Sequence, residues 1–162
     1  MGISGKELRA WLPVGVVLGI LTPIILFLAS KLPMLQLTFS TIELNIREKV
    51  TQNLISGEFA EWLKGYLGVS ITLPGLIMGV ISGILLVMLA RFVLSFVPQL
   101  PKEKFTRLIL VIFVALLAEM LILAGFGIPS FGAVLGFAIA AIVTAFLTRL
   151  VFQQIIKKPL PQ

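Results

Sequence analysis

Glu119 is the residue of this chain best placed to do chemistry. It lies near the middle of an apolar stretch, about residues 105–126, whose one other charged residue, Arg107, stands at its start. A carboxyl group at that depth in a bilayer is costly, and such groups mark ion paths, proton relays or helix-joining hydrogen bonds. When neutral it donates as well as accepts, so one side chain can hold a proton and pass it on. Few other groups are available for chemistry. The 162 residues include no histidine and no cysteine, and all seven acids are glutamate. That excludes disulfides, thiolate nucleophiles, Cys/His zinc sites and His-ligated haem. No nucleophile–base pair is recognisable, so the expectation is a protein that is not an enzyme and carries no metal and no cofactor.

The elements that must position Glu119 are long apolar blocks. Hydrophobic residues make up 59% of the chain, against about half in soluble domains. Four stretches approach or exceed the ~20 residues that cross a bilayer as a helix. They cover about 11–30, 71–97, 105–126 and 129–152. The first is longer than the apolar core of a signal peptide and is read as a span. The expected fold is an all-α integral membrane protein, a single membrane domain built as a four-helix transmembrane bundle. Thr22-Pro23 falls within the first span. A proline there removes a backbone donor and leaves the Gly19 carbonyl without its usual partner, predicting a kink.

Between the first two spans lies a polar, membrane-associated segment, about 33–70. Leu35, Leu37 and Phe39 alternate with polar residues, and the alternation resumes out of phase at Ile42, Leu44 and Ile46. This predicts two short strands with a turn or bulge at Ser40-Thr41, with a helix from about Asn45 to Ile55 as the other reading. Phe59, Trp62, Leu63, Tyr66 and Leu67 recur at helical spacing. Trp62 and Tyr66 are expected to anchor this helix at the membrane–water interface, the equal alternative being an ordinary amphipathic helix packed on its own bundle.

Charge orients the bundle. With the N-terminus inside, nine Lys and Arg (6, 9, 91, 102, 104, 107, 149, 157 and 158) face Glu7 and Glu103 on that side, a net +7. On the other side Lys31, Arg47, Lys49 and Lys64 balance Glu43, Glu48, Glu58 and Glu61. The positive-inside rule then makes both termini cytoplasmic, in a cell membrane. The basic character belongs to this asymmetry and implies no nucleic-acid partner.

Small residues recur every fourth position: Gly15 and Gly19; Gly75, Gly79 and Gly83; Gly132 and Gly136. Such ladders let helix backbones approach closely, within the chain or between subunits. Helical rise puts Glu119 roughly 10 Å below the outer boundary. Thr22 falls near that depth, beside Gly79 and Gly136, with Ser82 one turn deeper, and the two complete a candidate proton or cation relay. Arg91 lies about a turn and a half from the inner end and is expected to snorkel to headgroups. The implied function is a small oligomeric channel or transporter subunit using Glu119. The alternative is a non-catalytic accessory or assembly subunit of a larger membrane complex. The implied partners are the lipid bilayer and either further copies of the chain or other membrane subunits.

Overall fold

A computed structural model describes residues 5–97, 103–125 and 142–156, and all the regular structure among them is helical. Five helices run in order: α1 (Gly5–Ser30), α2 (Pro33–Thr51), α3 (Gly57–Tyr66), α4 (Leu73–Leu94) and α5 (Lys104–Gly125). A sixth, α6 (142–151), continues into a π-helical turn at Phe152–Ile156. Most of the stretch read as a fourth span lies outside the described residues, as do Gly132 and Gly136.

Local signals set the boundaries. Pro33 constrains Leu32 to extended backbone (φ −75°, ψ 129°), which ends α1 and starts α2 within three residues. Ser56 caps α3, its hydroxyl accepting from the Phe59 amide at 3.1 Å. Thr72 caps α4 in the same way through the Gly75 amide at 3.2 Å, with Pro74 in the first turn, where a missing donor does no harm. Helix α1 runs unbroken through Pro13 and Pro23.

The segment 35–51 is helical, which corrects the expectation of two strands at 35–46. Leu35, Phe39, Ile42, Ile46 and Val50 share one helical face, and Ile46 is fully buried. The other half of the alternating pattern, Leu37 and Leu44, points outward. An ion pair between Glu43 and Arg47, 2.6 Å across one turn, belongs to the helix and not to a strand.

Helix α4 is the hub, packing against α1, α3 and α5. The main core joins Trp11, Val14 and Leu18 to Leu86, Val87 and Ala90 and to Leu108, Ile112 and Ala115, with Ala145 and Phe152 closing it. A smaller core holds α2 and α3 to the end of the bundle through Ile46, Ala60, Leu63, Tyr66 and Leu67. Helices α1 and α4 cross with backbones in contact. A Cβ added at Gly15 would stand 2.7 Å from the Ile84 Cα, and one added at Gly19 would stand 2.6 Å from the Val80 Cα. Gly75, one turn further along α4, takes Gly65 of α3 instead.

The outer face of α4 is apolar and open: Ile77, Ile81, Leu85, Leu89 and Phe92 are all exposed. Among the described residues, two segments are long and apolar enough to cross a membrane, Arg9–Ser30 and Leu73–Leu94. An exposed apolar stripe on one of them suits lipid and not water.

Candidate functional site at Glu119

Glu119 follows Leu108, Ile112, Ala115 and Leu116 on the core-facing side of α5, so the helix carries its carboxyl group inward. It is 4% exposed, six residues and about 9 Å before the end of that helix. Its contact comes from outside the long helices. Tyr66, the last residue of α3, is itself 5% exposed, and its phenol faces the Glu119 carboxylate and lies near the Ser82 hydroxyl. Ser82 donates to the Met78 carbonyl at 2.7 Å. The second carboxylate oxygen, Oε1, is buried and has no hydrogen-bond partner among the described residues.

Three elements therefore converge. Helix α5 supplies Glu119, α4 supplies Ser82 and α3 supplies Tyr66. The approach of α3 depends on Gly65, since a Cβ there would lie 2.8 Å from the Gly75 Cα. After Tyr66 the chain turns at Gly68, which is left-handed (φ 73°) and rests on the backbone of Leu26 and Phe27 in α1. A side chain at Gly68 would be excluded on both counts. Burial first, and then the facing Glu119 carboxylate, push the Tyr66 phenol above its ordinary 10.0, while the Ser82 hydroxyl works against them.

Of the three relay residues expected from sequence, two share this site. Thr22 is buried, but its hydroxyl donates to the Leu18 carbonyl of its own helix at 2.9 Å. The Gly19 carbonyl, deprived of its donor by Pro23, is faced by Gly79 instead. A Cβ on Gly79 would collide with that carbonyl and stand 2.9 Å from the Pro23 Cγ, so the Gly79 Cα–H occupies the space. This is a weak C–H···O contact that partly replaces the missing N–H. Arg91 does not snorkel. It is 7% exposed, with its guanidinium 5.0 Å from the Trp11 ring centroid, toward the opposite end of the bundle from α3.

Tyr66 follows the alternative reading of α3, packed on its own bundle, while its place beside Glu119 was not expected from sequence. Helix α3 has two apolar sides. Phe59 and Trp62 are exposed, whereas Ala60, Leu63 and Tyr66 are buried. The available signal was Gly65, a small residue beside Tyr66 that lets α3 lie against another backbone. Among the described residues no cluster of three metal-ligating side chains occurs.

Comparison with protein-family models, with curated proteins and with solved structures finds no match to this chain. The reading of the site therefore rests on its own geometry.

Proposed function

We propose that the chain is a four-span membrane protein with both termini cytoplasmic, a small channel or transporter subunit in which Glu119 is the proton or cation site. The observation that carries this reading is the buried Glu119 carboxyl group, faced by the Tyr66 phenol, with Oε1 lacking a hydrogen-bond partner among the described residues. A purely structural acid would be expected to have both oxygens satisfied, since an unsatisfied buried oxygen costs about 1–3 kcal/mol. The +7 to 0 charge split supports the orientation, and the open apolar face of α4 supports contact with lipid or with further subunits.

A second reading draws on the depth of burial. Because Glu119 is sealed, the contact between Tyr66 and Glu119 also suits a staple that docks α3 on the bundle of a non-catalytic assembly subunit. Two measurements separate the readings. Purification in mild detergent with mass determination gives a defined homo-oligomer under the first and a mixture with foreign subunits under the second. Reconstituted vesicles under a proton gradient, and then under sodium and potassium gradients, show flux under the first and none under the second.

A further inference from the structure

We propose that Tyr66 is the gate of the Glu119 site: its ring seals the carboxyl group from water on the α2–α3 side, and its hydroxyl hands over the proton. The inference rests on the proton-site reading and narrows it from cations to protons. Glu119, Tyr66 and Ser82 bring three side chains with oxygen atoms to the site. Hard divalent cations take about six to eight oxygens, whereas a proton needs one acceptor, and Oε1, without a hydrogen-bond partner among the described residues, offers one.

The position of Tyr66 makes it the gate. It does not belong to a long helix of the bundle. It ends α3, a ten-residue amphipathic helix lying over the end of the bundle where α1 finishes and α4 begins. Phe59 and Trp62 on the same helix are exposed, so α3 touches the surroundings on one side and Glu119 on the other. Turns flanking α3 contain left-handed residues, Asn53 (φ 56°) and Gly68 (φ 73°). Helix α3 is held by the bare backbones of Gly65 and Gly75, by Gly68 on α1 and by the Ile46 cluster, which is separate from the main core. A short element with its own small core opens as a separate unit, at a lower free energy than global unfolding. When α3 lifts enough for water to reach the Tyr66 hydroxyl while it still faces the carboxylate, a hydronium ion gives a proton to the phenol oxygen as the phenol proton passes to the carboxylate. The phenol ends unchanged, hydronium becomes water and one proton has moved to Glu119.

The test is carbodiimide modification of the purified protein in detergent micelles, with a water-soluble carbodiimide and an amine nucleophile. Trypsin then releases the peptide 108–149, whose one side-chain carboxyl is Glu119. In the wild type this peptide is modified slowly. Tyr66→Ala removes the ring and speeds modification about ten-fold or more, as expected when a minor open state becomes the rule. Tyr66→Phe keeps the ring and stays slow, but its proton flux in vesicles falls at least about ten-fold, because the hand-over group is gone. If Tyr66→Ala does not fold, Tyr66→Leu, which fills more of the space, serves in its place. Modification of Tyr66→Ala or Tyr66→Leu at the wild-type rate overturns the seal. Full flux in Tyr66→Phe overturns the hand-over. Wild-type vesicles without proton flux would remove the hand-over and the transport reading together, while the modification rates would still decide whether Tyr66 seals Glu119.

Discussion

Replacing Gly79 by alanine adds one methyl group, and the structure dictates what that methyl meets. It would stand 2.9 Å from the Pro23 Cγ and 3.3 Å from the Gly19 carbonyl carbon, and would collide with the Gly19 oxygen. Ordinary contacts begin near 3.4 Å, so clearing Pro23 alone needs an opening of about 0.5 Å, and clearing the oxygen needs more. Backbone cannot rotate away as a flexible side chain can, so α1 and α4 must separate. A gap of 0.5–1 Å forfeits roughly a quarter to a half of each dispersion contact across the seam. Overpacking of this kind costs about 1–3 kcal/mol. The control is Gly57→Ala in α3. There a Cβ meets nothing within 4 Å, and alanine is the better helix former by roughly 0.5–1 kcal/mol. Helical circular dichroism followed through thermal unfolding in detergent should therefore move in opposite directions, down for Gly79→Ala and level or up for Gly57→Ala. Equal midpoints for the two variants would refute the close α1–α4 packing.

Other expectations follow from the same geometry. Cysteines placed singly at Lys64 and Lys104, in a chain with none of its own, should be labelled from outside intact cells at 64 and not at 104; the reverse would invert the topology. Tyr66 is the only tyrosine, so its ionisation is directly readable in the near-ultraviolet. Its phenol is raised in the folded protein, so it should remain un-ionised above pH 10.0, and the stability it contributes should be intact below the unfolded value and fall as pH climbs toward the folded one. A tyrosinate midpoint at the value of a free tyrosine would contradict the burial of Tyr66. Glu119→Ala should lower unfolding stability by about 1–3 kcal/mol through the cavity and the lost Tyr66 contact, while Glu119→Gln should leave it within about 1 kcal/mol of wild type.

Much of this was legible from residue spacing. Long apolar blocks marked α1, α4 and α5 to within a few residues, because a helix in an apolar setting needs no other pattern. The four-residue spacing of Gly15, Gly19, Gly79 and Gly83 pointed to close helix contacts without naming the partners, which the structure shows to be α1 and α4. The segment 35–46 was misread because alternation over a few residues also arises when a helix has apolar groups on two sides. The phase slip at Ser40-Thr41 was the clue, since a helix absorbs it without a bulge. The place of Tyr66 beside Glu119 was not legible for a related reason. Periodicity locates an apolar side but cannot separate the half against protein from the half against the surroundings, and Phe59 and Tyr66 fall on different halves. Pairing of Tyr66 with Glu119 depends on how α3 lies across the bundle end, a tertiary matter set by Gly65, Gly68 and Gly75. Arg91 also defied its position. An aromatic partner in another helix, Trp11, holds it inside, and nothing near Arg91 in the chain announces that.

The central claim is that Glu119 acts by exchanging a proton, and one comparison tests it most directly. Wild type and Glu119→Gln are reconstituted into vesicles at equal protein density, with an internal pH dye and an imposed proton gradient. Glutamine keeps the size and hydrogen bonding of the side chain but cannot ionise. The account expects the two proteins to unfold alike, with proton flux present in the wild type and abolished in the glutamine variant. Undiminished flux through Glu119→Gln would contradict the proton site outright.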